Sequence, residues 1–384
     1  MNTNAAEDTN IQIRAQRLAS ARDMMRDVGL DYLMVGPSAD LYYLIGARSR
    51  QTERLALLVL CASGPVFMVL PAFEAPTLPP LPEQVQVLTW QESHNPARLV
   101  AEVVASTAHS TPEQVACTIG VSDRVWAVFL LRLQAQLPHA RFTEAGGVLA
   151  AMRLIKSPEE IDLLRRSGAV ADAVFGEIVT RTFAGRTELD VAQELEALLK
   201  DGGLQVEGLP IVASGPNSAS PHHHTSERVI QSGDVVVLDY GGTYQGYYSD
   251  ITRTVFVGQA PDRQSEQWRV YHLVAEAQEA AVRAARPGMQ CQALDSVARD
   301  ILESAGYGQY FTHRLGHGIG LDGHEPPYLV QGNARQLRPG MVFSIEPGLY
   351  LPDRFGVRIE DIVALHEDGA ERLNNAPRDI TVVH

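Results

Sequence analysis

The sequence predicts two regions of different class: a smaller α/β region at residues 11–152 and a larger, pseudo-symmetric α+β region at residues 153–384. Three observations carry that prediction. Short apolar runs alternate with amphipathic helix-length stretches before Met152. A strong helix start follows at Ser157-Pro158-Glu159-Glu160, and the remainder twice repeats a glycine-led helix followed by an acid-bearing strand. At 384 residues the chain has room for two domains of ordinary size.

Taken in order, residues 1–10 are polar without periodicity and read as a disordered tail. A helical pattern at 13–25 is stopped by Gly29, and Tyr32-Leu33-Met34-Val35 reads as a short buried strand. Runs at 55–61 and 66–70, separated by Ser63-Gly64-Pro65, form a hairpin pattern, and Pro76, Pro79, Pro80 and Pro82 punctuate the loop behind it. A helix from about 95 to 107, a strand at 117–121 and a helix from about 124 to 136 continue the α/β alternation. The Ser N-cap, Pro at N1 and Glu at N3 of Ser157–Glu160 form a capping box that opens a helix toward Thr182 and sets the domain boundary near Met152. Beyond it, Gly185-Arg186-Thr187-Glu188 leads a helix ending at Gly202-Gly203, and Gly288 leads another ending at Gly306. Later in each half, Asp239 and Glu346 stand six residues beyond Gly233 and Gly340, so each half brings one acidic hairpin to a shared centre.

Composition limits the function. Hydrophobic residues at 45% and charged residues at 20% exclude a fibrous or wholly disordered chain. Lys and Arg number 32 against 46 Asp and Glu, and the formal charge of −14 gives no support for nucleic acid or an anionic membrane as partner. No run approaches the roughly 20 apolar residues of a membrane helix. The start MNTNAAEDTNIQIR lacks a basic n-region and an apolar h-region, so the expected location is cytoplasmic. Cys61, Cys117 and Cys291 are odd in number and irregular in spacing, which points to buried small hydrophobes rather than a disulfide framework or thiolate cluster.

The chemistry lies in the hairpins. If Tyr244-Gln245 form the two-residue turn between the runs that carry Asp239 and Asp250, the two carboxylates face each other directly, a destabilising pair unless a cation neutralises them. The second half repeats the device with Glu346 and Glu360 placed symmetrically about Asp353. All four acids sit in apolar runs (VVVLDYG, YSDITRTVF, FSIEPG, VRIEDIV), where unpaired charge is costly. His313, His317 and His324 follow one another among glycines that allow close backbone approach to an ion or substrate. One histidine with four carboxylates suits two divalent metals in mixed N/O coordination, favouring manganese-like ions over thiolate-bound zinc. The run His222-His223-His224 does not by itself single out one residue.

LDYGG, YYSDITRT, HRLGHGIGLDGHE, FSIEPG and GVRIED stand in an order and spacing that resembles the pita-bread metallopeptidases over residues 153–384. That family holds Xaa-Pro dipeptidases (prolidases), Xaa-Pro aminopeptidases, methionine aminopeptidases and the metal-free creatinases. Residues 11–152 match more loosely, as a creatinase-like N-terminal domain. The resemblance implies that Asp239 chelates one metal, that His317 and Glu346 bind the other, and that Asp250 and Glu360 bridge both. All five ligands are present, which argues against the metal-free branch, and the N-terminal domain argues against the methionine aminopeptidases. Family spacing places the active-site histidine at His222 and leaves His223 and His224 as loop residues.

The resemblance therefore implies hydrolysis of the Xaa–Pro bond, preferably in dipeptides, by a metal-bridging hydroxide. The alternatives are an Xaa-Pro aminopeptidase acting on longer peptides and, in a different class, a non-catalytic binding protein. Two metals about 3.5–4 Å apart lower the pKa of a bridging water and clamp the developing oxyanion. Glu346 is then expected to act as general acid–base besides its ligand role. His222 and His324 are expected to donate to the scissile carbonyl oxygen. His313 is expected in the substrate pocket, and Arg358, grouped with it, to orient carboxylates. Manganese is the expected metal, with zinc or cobalt as alternatives, and the expected partners are small proline-containing peptides and a second copy in a homodimer. Several prolidases carry an arginine for the substrate carboxylate shortly after the HE motif. This chain has Tyr328 there, with Arg48, Arg50, Arg335 and Arg354 as candidate replacements.

Overall fold

The first helix begins earlier than its pattern suggests: α1 spans Thr3–Asp27 in the computed structural model, which describes residues 3–384. Ala5-Ala6-Glu7 are good helix formers, and extending a nucleated helix is cheap, so the segment expected as a tail at 1–10 is helical from Thr3 onward. Residues 1 and 2 lie outside the described residues. The chain divides into two compact units between Arg153 and Leu154.

The first unit continues with β1 (Tyr32–Val35), α2 (Ala39–Ile45), β2 (Leu57–Cys61), β3 (Val66–Pro71), β4 (Val85–Trp90), α3 (Pro96–Thr107), β5 (Thr118–Val121), α4 (Ala127–Gln136), β6 (Arg141–Glu144) and α5 (Gly146–Leu154). Its mixed sheet has the order β4-β3-β2-β1-β5-β6. The hairpin β2–β3 is antiparallel, whereas β1–β5 and β5–β6 are parallel, as the helices between them require. Every residue of β1, β2 and β3 is buried, which is why these strands read as unbroken apolar runs. Asn95 caps α3 by accepting from Ala97 N and Arg98 N.

The second unit holds α6 (Pro158–Ile178), α7 (Glu188–Asp201), β7 (Ile211–Ser214), β8 (Val235–Tyr244), β9 (Tyr247–Val257), α8 (Glu266–Ala284) and α9 (Cys291–Ser304). It ends with β10 (Gly316–Gly318), β11 (Glu325–Leu329), β12 (Val342–Ile345), β13 (Gly348–Leu351), β14 (Phe355–Arg358), β15 (Asp361–His366), β16 (Gly369–Arg372) and β17 (Thr381–Val383). Both α6 and α7 start with full capping boxes, Ser157 with Glu160 and Thr187 with Asp190. The two halves are visible in the packing. Phe175 of α6 and Leu195 of α7 cover Val236, Leu238 and Ile251 of the sheet β17-β9-β8-β7. Val274 of α8 and Leu294 of α9 cover Phe343, Ile345 and Val363 of the sheet β11-β10-β12-β15-β16.

The halves join at an isolated bridge between Thr252 and Glu360. There the buried Arg253 donates to Glu360 O (2.6 Å) and pairs with Asp361 (2.7 Å). Gln278, Arg372 and Arg378 also reach Asp361, so this buried carboxylate is well compensated. Cys61 and Cys291 are buried as expected, Cys117 is only half-buried, and all three are unpaired thiols. Among the described residues no helix is long and apolar enough to cross a membrane.

Candidate active site

Asp239 lies on β8 and Asp250 on β9, but the turn between them is Gln245-Gly246. A tight hairpin turn of this kind needs positive φ at both central residues, and here φ is 50° at Gln245 and 91° at Gly246. The register therefore differs by two residues from that of a Tyr244-Gln245 turn: Asp239 pairs with Thr252 and Asp250 with Gly241. A slip of two preserves the alternation of faces, so both carboxylates still emerge on the same side. The second device has the expected register. Ile345 pairs with Asp361 and Gly348 with Arg358, and Glu346 and Glu360 occupy the break between these two ladders.

The expected metal ligands, together with His222, His313, His324 and Arg358, converge on one cavity of about 470 Å³, whereas Arg48, Arg50, Arg335 and Arg354, the candidate carboxylate-binding arginines, do not line it. It is lined by Asp239, Asp250, Glu346 and Glu360, by His222, His313, His317 and His324, and by Arg314 and Arg358, with Ile211 and Pro221 at its wall. Potential ligand atoms of Asp239, Asp250 and Glu360 lie within 4.8 Å of one another, as do those of His317, Glu346 and Glu360. A third such group joins Asp250, His317 and His324.

Hydrogen-bond roles sort the histidines. His317 Nδ1 faces Gly318 O at 3.0 Å and must donate to it, which leaves the Nε2 lone pair turned toward Glu346 Oε1 (3.3 Å) and Asp250 Oδ2 (3.8 Å). Burial, with His324 beside it, pulls His317 down to about 3, so the ring is neutral at pH 7. A lone pair facing two carboxylates is unfavourable without a cation between them, and a second nitrogen donating to a carbonyl is the usual setting of a metal-bound imidazole. His324 is the opposite case. Its Nδ1 accepts from Arg314 Nη2 at 3.3 Å, so its Nε2 carries the hydrogen and can donate to a substrate oxygen. His313 Nδ1 donates to Arg314 O (2.7 Å) and its Nε2 accepts from the Tyr350 hydroxyl (2.9 Å). It therefore offers the cavity a ring face.

The carboxylates show the strain of a site built for cations. Burial, reinforced by Asp239 and Glu346, pushes Asp250 well above the ordinary carboxyl range, and burial with Asp250 does the same to Glu360. Burial raises Glu346 to about 7, with Arg358 opposing and Asp239 adding to the rise. Glu360 Oε1 is buried without a hydrogen-bond partner among the described residues. An orphaned acceptor, raised acids and an inward-facing imidazole lone pair all fit divalent metal ions.

Around these groups stands a ring of supports that sequence reasoning largely missed. Arg358 donates to Asp239 Oδ2 (2.6 Å), the Tyr350 hydroxyl (2.8 Å), Thr252 Oγ1 (3.0 Å) and Pro221 O (3.2 Å), which are the contacts of an orienting residue. Burial alone would lower its pKa, but Tyr350, Asp239, Glu346 and Glu360 together raise it. Thr252 donates to Glu360 Oε2 (2.6 Å), and Ser344 donates to Glu346 Oε1 (3.0 Å) while accepting from His317 N (3.0 Å). A signal existed: Thr252 lies two residues after Asp250 and Ser344 two before Glu346, the spacing of one strand face. Arg314 was passed over as well. Its guanidinium lies 4.4 Å from the centre of the Tyr328 ring, whereas Arg354 pairs with Glu266 and Arg335 is not part of the cavity wall.

Clustered carboxylates, Glu360 buried and the other three half-buried, an imidazole lone pair aimed among them and hydrogen-bond donors at the rim are the parts of a metal-dependent hydrolase. The chain belongs to metallopeptidase family M24, which matches residues 162–367, and carries a Creatinase/Prolidase N-terminal domain at residues 17–155. It is 43% identical to "Probable dipeptidase PepE" of Mycobacterium tuberculosis, over 97% of both chains. Identity to the Xaa-Pro dipeptidase of Lactobacillus helveticus is 34%, over 95% of this chain and 98% of that one. The crystal structure of recombinant prolidase from Thermococcus sibiricus superposes with a TM-score of 0.89 at 36% identity, covering 96% of this chain and 99% of the other. The expected architecture, a creatinase-like α/β domain followed in the chain by a pita-bread α+β domain, is the one found.

Proposed function

We propose that this chain hydrolyses the Xaa–Pro bond of dipeptides using two divalent metal ions held by Asp239, Asp250, His317, Glu346 and Glu360. The observation that carries the metal requirement is the His317 ring, neutral and fixed by Gly318 O so that Nε2 points at Glu346 and Asp250. The kinship with Xaa-Pro dipeptidases over nearly the whole chain supports the bond specificity. When bound, the ions supply an activated water and positive charge for the developing oxyanion.

The protein's own groups do the rest. His222 and the Nε2–H of His324 donate to the scissile carbonyl oxygen. Glu346, with Ser344 fixing one oxygen, takes the proton of the attacking water and passes it to the proline nitrogen. The His313 ring face packs against the pyrrolidine. Arg358 and Thr252 keep Asp239 and Glu360 in place. We assign the free carboxylate of the dipeptide to Arg314, the cavity arginine stacked on Tyr328, where a related enzyme's arginine would stand. We take residues 153–384 as the catalytic domain and 11–152 as the N-terminal domain. The oxygen-rich donor set supports manganese ahead of zinc or cobalt, and the assembly we favour is a cytoplasmic homodimer.

The test is parallel cleavage of Leu-Pro and a Leu-Pro-Xaa tripeptide by manganese-loaded protein. The proposal expects efficient turnover of the dipeptide and poor turnover of the tripeptide. Arg314→Met should raise KM for Leu-Pro about tenfold or more without raising KM for the C-terminal amide of the same dipeptide, while the loss of the hydrogen bond to His324 lowers kcat for both substrates alike. Equal or better turnover of the tripeptide would make the protein an Xaa-Pro aminopeptidase instead.

A further inference from the structure

Of the three consecutive histidines at 222–224, the first two part company. His222 lines the cavity, while its neighbour His223 turns away, with Nε2 2.8 Å from Glu188 Oε2. Glu188 is the first residue of α7 and is fully buried. Its Oε1 accepts from Ser214 N (2.7 Å), Ser214 Oγ (2.7 Å) and Asn217 Nδ2 (2.9 Å). Its Oε2 accepts from Ser226 N (3.1 Å) and Ser226 Oγ (2.6 Å) besides His223. Burial alone would raise the Glu188 carboxyl, but the donors Ser226, Ser214 and Asn217 outweigh it and hold it below its ordinary value. The carboxylate can only accept, so His223 Nε2 carries the hydrogen.

The other end of the segment is tied as well. Pro221 O accepts from Arg358 Nη1 at 3.2 Å, and the same guanidinium holds Asp239 at 2.6 Å. Among the described residues no side chain hydrogen-bonds the His222 ring itself, so the anchors on either side of it set its direction. We propose that Glu188 and His223 form a positioning pair that aims His222 at the scissile carbonyl of the substrate. The inference rests on the role assigned to His222 above. A saturated, buried carboxylate is a rigid anchor, and misplacing a catalytic donor by about 1 Å can cost up to about a hundredfold in rate.

The experiment uses full-length, manganese-loaded protein with Leu-Pro as substrate. His223→Ala should lower kcat about tenfold or more with KM and bound metal per chain unchanged. His223→Gln, whose amide can donate to the same oxygen, should restore most of the loss. His223→Leu keeps volume without a donor and gives the same reading if the alanine variant does not fold. Combined with His222→Ala, the His223→Ala change should cost less than about twofold more, because it acts only through the missing ring. Wild-type kcat in His223→Ala, or an equal loss with and without the His222 side chain, overturns the positioning role. Wild-type kcat in His222→Ala removes the role of His222 itself, and this inference with it.

Discussion

At the scale of single residues, the proposed metal ligands are held by neighbours on one side while keeping part of their bonding capacity open toward the cavity. His317 has one nitrogen spent on Gly318 O, and Glu360 has one oxygen held by Thr252 and the other without a partner among the described residues. Asp250→Asn or Glu360→Gln should therefore abolish Leu-Pro turnover and lose bound manganese, read by metal analysis of the purified variant. Full turnover in either variant would refute the bridging assignment. Thr252→Val should weaken manganese affinity by about 10–100-fold without removing a ligand, measured by titration of metal-stripped protein. The acids and histidines were legible in the sequence because their types and spacing are unusual inside apolar runs. Thr252, Ser344, Tyr350 and Arg314 were not, because a hydroxyl or a lone arginine takes its role only from what lies across the fold.

At the scale of elements, two glycines next to site residues are required by the packing of neighbouring strands. A Cβ at Gly316 would stand 1.9 Å from Ser344 O, and one at Gly241 1.9 Å from Ser249 O, so both let neighbouring strands close up beside a site residue. Gly316→Ala should push β10 off β12, shift His317, and lower stability by about 1–3 kcal/mol, measurable by denaturant unfolding. An alanine variant of wild-type stability and metal affinity would contradict that account. Helix starts were the most legible elements, since Ser157, Thr187 and Asn95 carry local capping chemistry that needs no tertiary partner. The β8–β9 register was less so. Tyr244, Gln245 and Gly246 permit competing turns, and the need for positive φ at Gln245 is seen only once the chain is built.

At the scale of the whole molecule, metal binding is linked to protons. Burial raises Glu346 to about 7 and pushes Asp250 and Glu360 well above the ordinary carboxyl range, whereas His317 and His313, lowered to about 3 and about 4, are already neutral at pH 7. A carboxyl raised in the folded state binds protons more tightly than in the unfolded chain, so its contribution to stability falls as pH rises toward the folded value. The lowered histidines act in the opposite sense, but only below their ordinary value of about 6.5. Metal-free protein should thus lose thermal stability from about pH 6.5 to about 8, and manganese should remove that loss. Manganese binding near neutral pH should release protons, read by calorimetry in buffers of different ionisation enthalpy. The two-half architecture behind this was legible from the repeated glycine-to-acid spacing, but the Thr252–Glu360 bridge and the Arg253–Asp361 pair that join the halves were not. Nothing local marks residues more than 100 positions apart as partners.

The most direct test is a titration of metal-stripped protein with manganese in which bound metal per chain and Leu-Pro turnover are followed in the same samples. The account predicts no turnover without metal and a rise that completes as two ions bind. Turnover in fully stripped protein, or a protein that folds but binds no divalent ion, would contradict it.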